Sequence, residues 1–190
     1  PGDPVLEFYF STVNEGPLSP RLSALKAGDA VQVAPKANGF LVLDEVPPAI
    51  HLWLVATGTG LGPFLSILKT PEPWQRFQRV VLVHAARTAA ELTYRRTIAS
   101  VAEAEPKRFS YIPFLSRETA DYALAGRIPQ AITEGQLEAR AALRFDPAQC
   151  HVMLCGNPAM VEDATAALAA RGLRKHRRKE PGQISMETYW

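Results

Sequence analysis

Leu52-Trp53-Leu54-Val55-Ala56-Thr57-Gly58-Thr59-Gly60-Leu61-Gly62-Pro63-Phe64 sets the class of the fold. A short uninterrupted apolar run leading into glycines reads as a strand buried on both faces, then a tight turn, then a helix opened by proline. Strands of that kind belong to parallel sheets covered by helices. Such a turn is also suited to phosphate. Glycines let the backbone approach a pyrophosphate, and the helix behind them offers unpaired N–H groups with a partial positive charge. The spacing, Gly-x-Gly-x-Gly-Pro, is not the usual dinucleotide fingerprint, so a purely structural turn is the competing reading of this segment alone.

The same alternation repeats downstream. Residues 80–84 precede a helix over 89–105, and residues 152–154 precede a helix over 159–171. This pattern predicts a doubly wound parallel sheet. Residues 109–115 read as a further strand, which Pro113 weakens or places at an edge. Residues 126–149 look irregular with one helical piece. Upstream the style changes. Residues 5–10 and 30–34 are β-branched or aromatic runs, separated by turn signals at Asn14-Glu15-Gly16-Pro17 and Ala27-Gly28-Asp29. Between those turns lies a short helix, with Ser19 as N-cap and Pro20 as its first residue. The sequence therefore predicts antiparallel β material over residues 1–48 and an α/β domain over residues 49–190, meeting near Val46-Pro47-Pro48.

Composition narrows the function classes. At 190 residues, 47% hydrophobic and 21% charged, the chain suits a soluble globular protein, and a net charge of +2 argues against a surface built to bind polyanions. Residues 171–179 hold six basic side chains, but without interleaved aromatics for base stacking. They fit a solvated loop or a docking site for an acidic protein better than a nucleic-acid site. No stretch approaches the roughly 20 apolar residues needed to span a bilayer, and the amino terminus lacks a signal-peptide pattern. Cys150 and Cys155 are spaced for neither a zinc pair nor a disulfide framework, so a reducing cytoplasm is the simplest setting. His51, His84, His151 and His176 show no metal-ligand spacing, and no metal is expected.

The second strand ends in His84-Ala85-Ala86-Arg87, with no acid in that tetrapeptide. In sites that prefer NAD, an acid about 20 residues beyond the glycines takes the ribose hydroxyls, whereas arginine accommodates a 2′-phosphate. Arg87, Arg117 in Ser116-Arg117-Glu118 and Arg127 in Gly126-Arg127-Ile128 converge on one phosphate if the strand ends share a crevice. Otherwise they are three solvated surface arginines. Cys155-Gly156-Asn157-Pro158 is another strand, turn and helix start. A cysteine there can sit beside a nicotinamide, and since no neighbour activates it the candidate role is one of position.

Taken together, Gly58 to Pro63, Val83-His84-Ala85-Ala86-Arg87, Ser116-Arg117-Glu118, Cys155-Gly156-Asn157-Pro158 with Met160, and Glu187-Thr188-Tyr189-Trp190 resemble the bacterial ferredoxin:NADP reductases, in order and at similar intervals. The resemblance covers nearly the whole chain. It implies a flavoprotein in which FAD exchanges hydride with NADP(H) and passes electrons singly to ferredoxin or flavodoxin. It also implies that Thr57, Gly58, Thr59 and Gly60 line the pyrophosphate and nicotinamide, with Gly156 and Asn157 alongside, and that Arg87, Arg117 and Arg127 hold the 2′-phosphate. Cys155 and Glu187 would lie near the reacting carbons, Tyr189 against the isoalloxazine and Trp190 against the FAD adenine. Gly16 to Leu22 resembles the segment that meets the FAD pyrophosphate, with Ser19 as hydroxyl donor.

The chain departs from the family in one respect. The Arg-x-Tyr-Ser motif that stacks on the flavin is absent and would precede Pro1, where Pro1-Gly2-Asp3-Pro4 reads as an interior turn. A barrel removes its edges only when all its strands are present. The expectation is a truncated flavin barrel that binds FAD poorly while NADP(H) binding survives, in a monomer. The competing readings are a reductase of the same superfamily with another acceptor and a bare NADP-binding module. An aromatic tail suited to stacking on flavin argues against the latter.

Overall fold

The apolar run that begins at Leu52 forms strand β1 (His51–Thr57), and five of its seven residues are buried. A computed structural model of the chain describes residues 5–36 and 39–188. In it β1 stands inside a six-stranded sheet with β2 (Arg79–Ala86), β3 (Phe109–Leu115), β4 (Leu124–Ala125), β5 (Cys150–Gly156) and β6 (Ile184–Thr188). The order is β4-β3-β2-β1-β5-β6, and every pairing is parallel. The chain winds from β1 out to β4, then returns to lay β5 and β6 on the other side of β1. That reversal opens a crevice at the carboxyl ends of β1 and β5, where ligands bind in sheets of this kind.

The described helices are α1 (Ser19–Ser23), α2 (Leu61–Leu68), α3 (Glu72–Arg76), α4 (Arg95–Ala104), α5 (Ile128–Thr133), α6 (Gln136–Ala141) and α7 (Pro158–Ala169). Ile132 of α5, Leu137 of α6 and Leu168 of α7 join Trp53, Val83 and Leu154 of the sheet in one buried cluster. Side chains alternate along a strand, so Leu54, Leu82 and Met153 point to the opposite face, and they too are fully buried. Helix α2, packed on β1, buries Phe64, Leu65, Ile67 and Leu68, none of which belongs to the first cluster. Apolar cover on both faces explains why these strands read as continuous hydrophobic runs.

Several elements differ from the sequence expectation. The helix expected over 89–105 is split into a 3-10 turn at Ala89–Glu91 and α4, separated by Tyr94 with φ of 56°. The carboxylate of Glu118 takes the Ala89 N–H at the start of the 3-10 turn, and the left-handed Tyr94 separates that turn from α4. Residues 126–149 hold two helices, α5 and α6, joined through Gly135 at φ 75°. Pro113 lies one residue before the short pairing with β4 begins, on a stretch bonded only on its β2 side, so its missing N–H costs no ladder bond to β4. Strand β6 has only alternate apolar residues, Ile184 and Met186, as an edge strand covered on one face does.

The chain falls into two compact units, residues 1–40 and 41–190. Residues 41–48 go with the second because Leu41, Leu43 and Val46 are buried there. Arg76 of α3 fixes them, donating to the carbonyls of Leu43 at 2.8 Å and Val46 at 2.9 Å. In the first unit, residues 5–10 and 30–34 are not strands. Consecutive Val5 and Leu6 are 70% and 69% exposed, so no apolar face is buried that would fix a register. Helix α1 forms as expected, but Leu18 is its N-cap and Ser19 its first residue. The Ser19 hydroxyl instead accepts from the Val13 N–H at 2.8 Å.

Replacing Arg76 with alanine leaves two partly buried carbonyls without their donor. The expected loss is about 1–3 kcal/mol, seen as a lower urea midpoint with an unchanged slope.

Candidate functional site

Two glycines bring the ends of β1 and β5 into backbone contact. A Cβ at Gly60 would fall 2.3 Å from the Cys155 carbonyl oxygen, and one at Gly156 would fall 2.2 Å from Thr57 Oγ1. Gly156 has φ of 134° and Gly58 of 52°, both in the region glycine favours. Thr57 Oγ1 accepts from the Asn157 N–H at 2.9 Å, tying the two turns together. The Asn157 side chain then caps α7, accepting from Ala159 N at 3.0 Å and Met160 N at 3.3 Å. Gly58 is exposed, with open space where a Cβ would stand, so its backbone is accessible from outside. Helix α2 starts directly behind this turn, which gives the crevice an N-terminal helix end fit for a diphosphate.

The strand register aligns Pro113, His84, Ala56, Cys155 and Glu187 in one row across five strands. Cys155 is fully buried and Glu187 half-buried, so the cysteine belongs to the floor of the crevice and the glutamate lies nearer its surface. Neither ring nitrogen of His84 has a hydrogen-bond partner among the described residues. Burial pushes its imidazole down to about 4, opposed only by the nearby backbone of Gly58. The floor therefore carries a neutral ring under the glycine turn.

The arginines gather at the next strand ends. The Arg87 backbone carbonyl accepts from the Arg117 N–H at 2.9 Å, and the Gly126 N–H donates to Leu115 at 3.0 Å, which ties the start of Arg127 to the end of β3. All three side chains are exposed. Arg87 also pairs with Glu91, Nε to Oε1 at 3.0 Å. The sequence assigns no role to Glu118, although it stands in the Ser116-Arg117-Glu118 motif, and none to Glu91. Their spacing from Arg87 and Ala89 fits no motif, and only the 3-10 turn reveals them. Tyr189 and Trp190 lie outside the described residues, and Ser19 lies in the first unit. The Ser19 hydroxyl hydrogen faces the Val13 carbonyl at 3.5 Å. In the basic run, Arg171 pairs with Glu138 and Arg178 with Glu45, while Arg174, Lys175 and Lys179 are exposed and make no ion pair among the described residues. A separate open depression of about 500 Å³, lined by His51, Arg144 and Asp146, lies at the opposite, amino-terminal ends of β1 and β5.

Residues 54–166 match the family model of the oxidoreductase NAD-binding domain. The flavodoxin/ferredoxin–NADP reductase of Escherichia coli (strain K12) is 48% identical over 191 aligned residues, covering 100% of this chain and 77% of the relative. The chain belongs to the flavodoxin/ferredoxin–NADP reductase family. The ferredoxin–NADP reductase of Pseudomonas aeruginosa is 36% identical, with 96% of this chain and 73% of that relative covered. A crystal structure of a ferredoxin NADP+ reductase from Neisseria gonorrhoeae with bound FAD and NADP superposes with a TM-score of 0.87 at 34% identity, over 94% of this chain and 72% of that one. No described helix of the chain is long and apolar enough to cross a membrane.

Two outcomes follow for the reductase. Gly156→Ala places a methyl group against Thr57 at a strained φ and is expected to cost about 2–4 kcal/mol in a denaturant titration. Burial also pushes His151 down to about 4, with His176 and Arg76 adding to the shift. The unfolded chain takes up these protons near 6.5, while the fold resists until about 4. Stability is thus full above pH 6.5 and falls as pH drops through this window, by up to about 1.4 kcal/mol per pH unit for each ring. Urea midpoints between pH 7 and 4.5 check this, and His84→Leu should remove about half of the histidine contribution.

Proposed function

We propose that this chain carries the NADP(H)-handling part of a flavoprotein reductase that exchanges electrons between NADP(H) and ferredoxin or flavodoxin by way of FAD. The observation that carries the reading is the crevice between β1 and β5, with its accessible glycine turn and the coupled arginines Arg87 and Arg117 at the adjoining strand ends. The spacing of charge suits one ligand: a diphosphate at Gly58–Gly60 and a second phosphate one strand away.

In this reading Thr57, Gly58, Thr59 and Gly60 hold the pyrophosphate and the nicotinamide end, with Gly156 and Asn157 forming the facing wall. Arg87, Arg117 and Arg127 hold the 2′-phosphate through charge-assisted hydrogen bonds. Cys155 shapes the floor below the nicotinamide and Glu187 stands beside its reacting carbon. Residues 1–48 contribute to flavin binding through Ser19, while Tyr189 and Trp190 cover the flavin and its adenine. FAD, when bound, accepts or returns hydride and releases electrons one at a time. The chain's own share is to orient the nicotinamide and keep water from it.

The reading includes a monomer in the cytoplasm, and light scattering on the purified chain tests the first. Arg174, Lys175 and Lys179 are assigned to docking an acidic electron carrier, an encounter that weakens with salt. The decisive test is calorimetric titration with 2′-phospho-AMP and with AMP. The phosphorylated ligand should bind more tightly, and Arg87→Ala should weaken it by about 1.5–3 kcal/mol while leaving AMP unaffected. Equal affinity for the two ligands would remove the 2′-phosphate from the reading.

A further inference from the structure

We propose that Glu91 is the positioning residue for Arg87 in recognition of the 2′-phosphate, an inference that rests on the nucleotide site described above. Both oxygens of Glu91 lie at the Nε–H of the guanidinium, with Arg87 Nε 3.0 Å from Oε1 and 3.1 Å from Oε2. Oε2 also accepts from the backbone N–H of Arg87 at 3.3 Å. One carboxylate thus grips both the main chain and the inner edge of the same arginine. The two terminal nitrogens of Arg87 make no hydrogen bond among the described residues and are left for a ligand. With Glu91 on Nε, the end-on edge formed by the two terminal nitrogens is the bidentate edge left for a phosphate.

The grip is itself held in place. Glu91 ends the 3-10 turn Ala89–Glu91, whose Ala89 N–H is taken by the Glu118 carboxylate. Leu92, next in the chain, is buried with Ala86 and Leu115 at the ends of β2 and β3. Glu118 follows Arg117 directly, and Arg117 donates its N–H to the Arg87 carbonyl. Both arginines and both glutamates therefore form one closed circuit at the strand ends. Burial raises the Glu91 carboxyl, but the hydrogen bonds from Arg87 and the charges of Arg87 and Arg117 outweigh it and hold the group below its usual range. This arrangement also explains an acid beside the arginine of a 2′-phosphate site. It faces the inner edge of the guanidinium and not the ribose.

The test is calorimetry of the whole chain and its variants with 2′-phospho-AMP and AMP. Glu91→Ala should weaken 2′-phospho-AMP roughly three- to tenfold and leave AMP unchanged. Glu91→Gln, which keeps one acceptor oxygen, should fall between. In an Arg87→Ala background the Glu91 substitution should cost nothing further, since there is no guanidinium left to orient. Tighter or unchanged binding by Glu91→Ala, equal loss for AMP, or the same loss without Arg87 would each overturn the assignment. If Arg87→Ala itself has no effect on 2′-phospho-AMP, the nucleotide site is the reading that fails. If Arg87→Ala weakens binding and Glu91→Ala does not, only this inference fails.

Discussion

The contact between the turn after β1 and the end of β5 is the constraint on which the site depends. At Gly60 and at Gly156 the neighbouring backbone or side chain stands where a Cβ would be. Only glycine permits that approach, and the approach closes the bottom of the crevice. It also sets the starts of α2 and α7, because each helix begins within three residues of these glycines. Thr57 then reads the spacing directly by accepting from Asn157 across the gap. A wider separation would lose this bond and move the two helix ends apart.

Electrostatics follow from the same geometry. Strand ends in a parallel sheet project their loops into one region, so Arg87, Arg117 and Arg127 arrive there from β2, the end of β3 and the start of α5. Glu91 pairs with Arg87, and Glu118 takes the Ala89 N–H, so two carboxylates hold the loop after β2. Beneath the glycine turn the ring of His84 is kept uncharged by burial. The charged side chains are thus exposed at the strand ends, while the buried ring is neutral.

The second unit was legible because its signals are local and periodic. Leu52 to Phe64 announces a buried strand, a glycine turn and a helix, and the following strands repeat the pattern closely enough to give the sheet. What escaped the sequence was set by side chains meeting across loops. The helix that periodicity alone would run from 89 to 105 is broken between Leu92 and the left-handed Tyr94, and Glu118, remote in sequence, holds the 3-10 turn before the break through the Ala89 N–H. β6 was hidden because only Ile184 and Met186 face the core, and its place is known from pairing with β5. In the first unit the β-branched runs over 5–10 and 30–34 have the composition of strands. Composition fits a half-buried pleated surface, however, and Val5, Leu6 and Phe8 remain exposed.

The two cysteines show how placement separates chemistry from scaffolding. Cys150 begins β5 and Cys155 ends it, both buried and unbridged. Burial pushes the Cys150 thiol up to about 12, with the charge of Asp146 adding to it, so that group stays protonated and inert. Cys155 has no exposed surface and lies in register between Ala56 and Glu187. A nucleophile needs access and an activating neighbour. A floor residue needs only volume and a fixed height, which the strand register supplies. A reductase of this family leaves electron transfer to its cofactors. In this chain the register fixes Cys155 at one height between Ala56 and Glu187, and a small, sealed side chain there fills the end of the sheet without offering an accessible thiol.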